Sequence, residues 1–362
     1  MFDGLEYRKL VMEMTEVSAE QKEDVAVKIN NGGRIHWVDF CRVLAIMSVV
    51  YGHMGLIQPE MFRSKDYIAP FFFNQSAPWV TVLMFFFLSG WLQNVRARYL
   101  EWRGFLHFYI PLLIWDAVCL LINPPVGEGW LGYVIRMGVT PIRNANTPLW
   151  FVNELAWLTL ILPIILRVSA RIRICFVLFA LWLGDCYAPT SYAFSKWANV
   201  FACYVAGSII NGYDRKKIND FAGKFFPMVA IASVAFLFVN EFLPDLLRLS
   251  SVHQSAAYIV IGIATLFGYG VIATRLFPGV GAFLSSQASS VFFIYASHFP
   301  VFLLYIRLSA KYGWTSPPEF LLPWLAVLYV VAGMLVTSLA RATRCRILLR
   351  YVFLISLPDK KS

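Results

Sequence analysis

Apolar runs of about 20 residues, each followed by a shorter polar segment, recur along the whole of this 362-residue chain. Runs of that length are long enough to cross the hydrocarbon core of a bilayer as α-helices. The fifth and sixth runs are near the lower length limit, so the pattern predicts roughly eight to ten spans. We predict an all-α, polytopic membrane helix bundle with about ten transmembrane helices. The runs cover approximately residues 38–57, 78–95, 104–122, 149–166, 174–188, 197–211, 225–243, 256–275, 288–310 and 320–340.

Composition and charge placement support a membrane protein. Hydrophobic residues make up 59% of the chain and charged residues only 14%, against roughly 25% charged residues in soluble domains. With the N-terminus in the cytoplasm, most of the 31 Lys and Arg residues fall on the cytoplasmic side, which is the positive-inside pattern. Both termini are therefore predicted to be cytoplasmic. The net charge of +10 then indicates contact with the lipid bilayer, and no recognition motif indicates nucleic-acid binding.

The chain divides into three predicted regions. Residues 1–33 form a polar cytoplasmic tail, residues 34–340 a membrane domain, and residues 341–362 a basic cytoplasmic tail that faces anionic headgroups. The six cysteines form no CxxC pair, and the five histidines lack the HExxH spacing, so no metal site is predicted.

The first apolar run contains Asp39, Arg42 and His53. Charged groups inside a bilayer are expensive and usually functional. Helical geometry places Arg42 and His53 within about 20° of one face and about 16 Å apart along the axis. Asp39 lies one turn before Arg42, close enough to hold its guanidinium as a structural partner. His53 is a candidate general base and Arg42 a candidate phosphate ligand. The structural alternatives are a backbone-bonded histidine and an arginine that extends to the interface.

A second basic cluster, Arg96, Arg98 and Arg103, follows the inner end of the second run. Three arginines at one mouth suit a polyanionic ligand, whereas the alternative is plain topology signalling. Ser89 and Gly90 precede this cluster. Helix packing explains the glycine well, and no base near Ser89 in sequence supports a nucleophilic serine.

Further polar residues lie in later runs. Trp150, Asn153 and Glu154 enter the membrane from the outer side at a depth comparable to that of His53. A carboxylate there could orient the imidazole or contact sugar hydroxyls, and the alternative is a polar cap at the interface. Asp116 and His298 are further intramembrane polar groups, and such groups normally face a bundle interior or cavity.

The order of these motifs resembles that of the acyltransferase-3 family of bacterial inner-membrane O-acyltransferases. Arg34-x₄-Asp39-x₂-Arg42-x₁₀-His53 is similar to the first-helix signature of the family. FFFLSGWL (Phe85–Leu92), the arginines after it, PLWFVNEL (Pro148–Leu155) and the late His298-x-Pro300 continue the similarity in order. Together these segments span roughly residues 34–340.

The resemblance implies an integral protein of the bacterial inner membrane that transfers an acyl group, usually acetyl, from cytoplasmic acyl-CoA to a saccharide or glycolipid hydroxyl. It implies that His53 is the essential histidine and that Arg42, Arg96 and Arg98 serve the CoA side, where we also place Arg103 and Ser89. Glu154 and Asp116 are expected to assist His53, while Asn153, Trp150 and His298 are expected to bind the acceptor. Acetyl-CoA is thus the expected donor, with no metal.

Three alternatives stay open at this point. A covalent acyl-enzyme step is compatible with the residues. A multi-span transporter or exporter would use the same buried charges as a substrate or proton site. An assembly subunit without activity is the third alternative, and it predicts that His53→Ala keeps full cellular function. The sequence is also compatible with a homo-oligomer.

Overall fold

The computed structural model describes residues 35–54, 77–93, 99–124, 132, 146–187, 192–211, 213, 215–242, 256–315, 317, 321–343, 349 and 351–354. The chain divides into two compact units, residues 1–36 and residues 37–362. Only residues 35 and 36 of the first unit are among those described, so the fold below is that of the second unit. The predicted tail over residues 1–33 and most of the predicted tail over residues 341–362 lie outside the described residues.

The described part of the chain is all-helical and contains no strand. Short 3₁₀ turns over Thr147–Leu149 and Ala288–Ser290 precede α4 and α10 respectively. The α-helices are α1 (His36–His53), α2 (Ala77–Leu92), α3 (Trp102–Ile122), α4 (Trp150–Arg167), α5 (Ala170–Tyr187), α6 (Tyr192–Ile210), α7 (Arg215–Phe242), α8 (Ala256–Leu276), α9 (Pro278–Gln287), α10 (Val291–Tyr312) and α11 (Leu322–Ala342).

Each predicted apolar run overlaps one of these helices, and α9 is an additional short helix that the pattern did not predict. Within the described residues, five segments are long and apolar enough to cross a membrane: Trp102–Ile122, Trp150–Arg167, Ile259–Leu276, Pro278–Tyr312 and Leu322–Ala342. This confirms the all-α fold class and the membrane character. The number of about ten crossings and the cytoplasmic placement of both termini stay predictions.

Helices α2 and α6 cross at a point where neither has a side chain. A Cβ on Gly90 of α2 would collide with the carbonyl oxygen of Tyr204, and a Cβ on Gly207 of α6 would collide with that of Phe87. Small residues allow two backbones to approach this closely. The packing explanation of Gly90 is therefore the one that the structure supports.

Helix α1 runs parallel to the segment formed by α9 and α10. Its buried residues lie around most of its circumference, as expected for a helix surrounded by others. Near its start, Asp39 accepts a hydrogen bond from Ser285 of α9. At its end, the ring of His53 meets that of His298 on α10. Asp39 and His53 on α1 are about as far apart as Ser285 and His298 on the α9–α10 segment, about 20 Å along a helix. The two contacts together therefore fix the register of that segment against α1.

Candidate functional site

Two imidazoles meet where α1 ends. The ring centroids of His53 and His298 are 5.0 Å apart, with an angle of 64° between the ring planes. His298 is completely buried, and His53 is partly exposed. The sequence predicted both residues as site residues, and the fold brings them into contact across α1 and α10.

Each ring is held by a backbone carbonyl of its own helix. His53 Nδ1 lies 2.8 Å from the oxygen of Val49, and His298 Nδ1 lies within hydrogen-bonding distance of the oxygen of Tyr295. A carbonyl oxygen only accepts, so Nδ1 carries the proton in both rings when they are neutral. The remaining nitrogen, Nε2, is then an acceptor in both rings. His298 Nε2 is buried and has no hydrogen-bond partner among the described residues.

A proline shapes the backbone beside His298. Pro300 lies inside α10 and lacks the N–H that would bond the carbonyl of Ala296. That carbonyl instead accepts a hydrogen bond of 2.9 Å from the Asn146 side chain. The backbone N–H of Asn146 in turn donates to Asp116 Oδ1, at 3.0 Å. Asp116 therefore holds the segment that leads into α4, and it does so through a backbone donor.

The same segment is fixed by Tyr295, whose hydroxyl donates to the carbonyl of Pro148. Pro148 lies in the 3₁₀ turn that directly precedes α4. The α-helix itself begins two residues later, at Trp150. The rings of Phe151 and Tyr295 pack at 5.5 Å. These contacts place the start of α4 against α10 at the level of the histidine pair.

Glu154 forms an ion pair that the sequence analysis missed. Lys196 Nζ on α6 lies 3.4 Å from Glu154 Oε1 and 3.2 Å from the ring centroid of Trp150. The Glu154 side chain is 1% exposed and that of Lys196 12%. The ammonium thus covers one face of the indole that was predicted to bind substrate. Lys196 was overlooked because it directly precedes the sixth apolar run, although a buried carboxylate calls for a buried cation.

Neither predicted carboxylate reaches His53. Among the described residues, Asp116 bonds Asn146 and Glu154 pairs with Lys196, while the hydrogen bond of the His53 ring is to Val49. No hydrogen bond among the described residues therefore links either carboxylate to this imidazole, and their expected assistance to His53 stays a prediction. Asn153 is buried beside Glu154 on α4, and its predicted contact with substrate stays a prediction.

The Arg42 region lies near the other end of α1. Arg42 Nη1 is 3.6 Å from Asp39 Oδ1, so the ion pair expected from the spacing is present. Ser285 Oγ donates to Asp39 Oδ2 at 2.5 Å. The carboxylate is buried, while 36% of the Arg42 side chain is exposed. This arrangement holds the guanidinium from one side and leaves part of the side chain exposed.

The remaining donor-side predictions are only partly visible. Arg103 is exposed in the first turn of α3, and Ser89 is half-buried on α2. Arg96 and Arg98 lie outside the described residues. Gln93, which the sequence analysis did not single out, accepts hydrogen bonds from Tyr204 at 2.7 Å and from Thr159 at 3.3 Å. It joins α2, α4 and α6 close to the predicted inner mouth. Within the described ranges, no group of three metal-binding side chains occurs.

Apolar helices of membrane-spanning length that enclose a buried histidine, buried carboxylates and a largely buried lysine define an integral membrane protein with a polar interior. A family model described as an acyltransferase domain, that of the acyltransferase-3 family, matches residues 35–342, and the chain belongs to this family. The resemblance found in the motifs is thereby confirmed. No curated protein and no solved structure matches the chain.

Proposed function

We propose that this protein is a membrane O-acyltransferase that moves an acetyl group from cytoplasmic acetyl-CoA to a hydroxyl of a saccharide. The acceptor is a surface polysaccharide, a lipid-linked precursor or a secreted oligosaccharide, and the membrane is the bacterial inner membrane. Membership of the acyltransferase-3 family supports the reaction class. The identity of the acyl donor, the identity of the acceptor and the role of each residue are what we propose beyond family membership.

The observation that carries the proposal is the state of His53. Its Nδ1 is committed to the carbonyl of Val49, so Nε2 of the neutral ring is the basic nitrogen. In the proposed step, Nε2 takes the proton of the acceptor hydroxyl as its oxygen attacks the thioester carbonyl carbon. A new C–O bond forms and the C–S bond breaks. The proton then passes from His53 to the departing CoA thiolate.

The donor would enter from the end of α1 that carries Arg42. A guanidinium binds phosphate through paired hydrogen bonds, and Arg42 is partly exposed while Asp39 holds it from behind. The distance from Arg42 to His53 along α1, about 16 Å, would be bridged by the extended pantetheine arm. Arg96, Arg98, Arg103 and Ser89 are proposed to serve the same CoA side.

The acceptor would meet His53 from the outer side, next to the start of α4. Trp150 and Asn153 are the proposed contacts there, since aromatic rings and polar side chains are usual ligands in concave sites. His298, which is completely buried, would line this side of the site behind His53. Lys196 narrows this role for Trp150, because its ammonium occupies one face of the indole.

The test uses the full-length protein in lipid nanodiscs, acetyl-CoA, and the saccharide fraction of the host envelope. We expect the wild type to release CoA and to add the mass of an acetyl group to a saccharide. His53→Ala should lose about 10² to 10⁴ of the rate, with Thr81→Ala as a buried control on α2. A transporter would release no CoA and would move substrate across vesicles. That result would overturn the proposal.

A further inference from the structure

His298 offers a buried acceptor that nothing else in the described structure uses. Its side chain is 0% exposed, its Nδ1 bonds the carbonyl of Tyr295, and its Nε2 has no hydrogen-bond partner among the described residues. Buried polar atoms are normally satisfied, because leaving one without a partner costs about 1–3 kcal/mol. A buried acceptor of this kind can stabilise a positive charge that develops beside it.

The titratable ring of His53 lies beside that of His298. The two rings are in edge-to-face contact, with centroids 5.0 Å apart. When His53 takes a proton it becomes an imidazolium, and a cation in an apolar interior must be stabilised by neighbouring polar groups. In the serine-protease triad a carboxylate does this. Here Asp116 and Glu154 are bound elsewhere, so the described residues supply no hydrogen-bonded carboxylate.

We propose that His298 is the positioning residue of the general base, and that its Nε2 lone pair stabilises the cationic His53 during acyl transfer. This inference rests on the proposed function. The pair then holds a single extra proton: His298 stays neutral with its own proton on Nδ1, while His53 receives the proton of the acceptor hydroxyl and returns it to the CoA thiolate. No further reactant is required, and each bond that breaks is matched by one that forms.

The fold supports this role of His298 with two fixed points. The Nδ1–H bond to Tyr295 sets the ring orientation on α10, and Tyr295 is itself tied to Pro148. One residue further on, Asn146 holds the carbonyl of Ala296 that Pro300 leaves open. The helix next to His298 is therefore braced from α3 and from the start of α4. Because its surroundings are fixed, the His298 ring can act on His53 without rearrangement during the reaction.

Two conservative variants separate this role from a purely structural one. The longer amide side chain in His298→Gln places an acceptor oxygen near the position of Nε2, whereas the shorter amide in His298→Asn replaces only the Nδ1–H donor to Tyr295. We expect His298→Gln to keep kcat within about tenfold of wild type and His298→Asn to lose about 10²-fold. His298→Phe, which keeps the ring shape alone, should behave like His298→Asn. The KM for acetyl-CoA should not change, because Arg42 lies at the other end of α1.

Each outcome of this experiment decides the matter. Elution as a single species and the unfolding temperature in nanodiscs establish that the three variants fold. A more active asparagine variant would show that the backbone bond to Tyr295 is what matters, and equal activity of the two variants would show that the acceptor at the position of Nε2 gives no advantage. Either result would overturn the inference while leaving the proposed function intact. If the wild type transfers no acetyl group, or if His53→Ala transfers it at the wild-type rate, both the inference and the proposed function are overturned.

Discussion

At the scale of single residues, the site is defined by which polar atoms are already bonded. His53 and His298 each use Nδ1 for a backbone carbonyl, which leaves Nε2 for chemistry. Asp116 and Glu154 are both buried, yet both are occupied by partners outside the histidine pair. Burial alone therefore does not indicate which group each carboxylate contacts, and the hydrogen-bond and ion-pair partners do.

Asp116 acts as an acceptor for a backbone N–H, and its charge is not required for that. Asp116→Asn keeps an acceptor oxygen, so we expect wild-type acyl transfer and stability. Asp116→Ala leaves the Asn146 N–H buried without a partner and should cost about 1–3 kcal/mol. Thermal unfolding of both variants in nanodiscs measures the change in stability, and an acyl-transfer assay measures the change in activity. A folded Asp116→Asn variant without activity would instead show that the carboxylate takes part in the chemistry.

The Glu154–Lys196 pair should behave as one unit. Lys196→Met leaves an uncompensated buried carboxylate, which typically costs about 3–5 kcal/mol. Adding Glu154→Gln removes that charge, so the double variant should recover most of the lost stability. The double-mutant cycle is followed by thermal unfolding. Additive effects of the two substitutions on the unfolding temperature would mean that the Glu154–Lys196 ion pair contributes nothing to stability.

At the scale of elements, helix crossings depend on positions where a side chain is missing. Gly207→Ala should cost about 1–3 kcal/mol, the usual range for overpacking, because the new methyl would meet the carbonyl of Phe87 on α2. Gly279→Ala on α9 is the matched control, since its Cβ would meet nothing within 4 Å. Unfolding temperatures compare the two. Equal effects would contradict the close crossing of α2 and α6.

The elements themselves could be predicted from the sequence, since each apolar run overlaps a helix. The Asp39–Arg42 pair followed from helical spacing, because both residues lie on one helix. The contacts that define the site join residues far apart in sequence: His53 with His298, Glu154 with Lys196, and Asp116 with Asn146. Helical periodicity specifies a face and a depth but not the neighbouring helix, so these pairings needed the fold.

At the scale of the whole molecule, the account requires a donor side and an acceptor side of one membrane. The charge distribution predicts that both ends of the chain are cytoplasmic, which would place Arg42 on the inner side and His53 further out. A fluorescent protein that matures only in the cytoplasm, fused after Ser362, should fluoresce, and an alkaline phosphatase fused there should be inactive. The opposite pattern would reverse the orientation and remove cytoplasmic acyl-CoA as the donor.

The central claim is that His53 passes a proton between a saccharide hydroxyl and the CoA thiolate. The most direct test supplies acetyl-CoA with a radioactive acetyl group to the wild type and to His53→Ala in nanodiscs. It measures how fast the label moves to the saccharide. We predict one labelled ester per CoA released by the wild type, and a rate lower by about 10² to 10⁴ for the variant. Transfer of the label at the wild-type rate by His53→Ala would contradict the account.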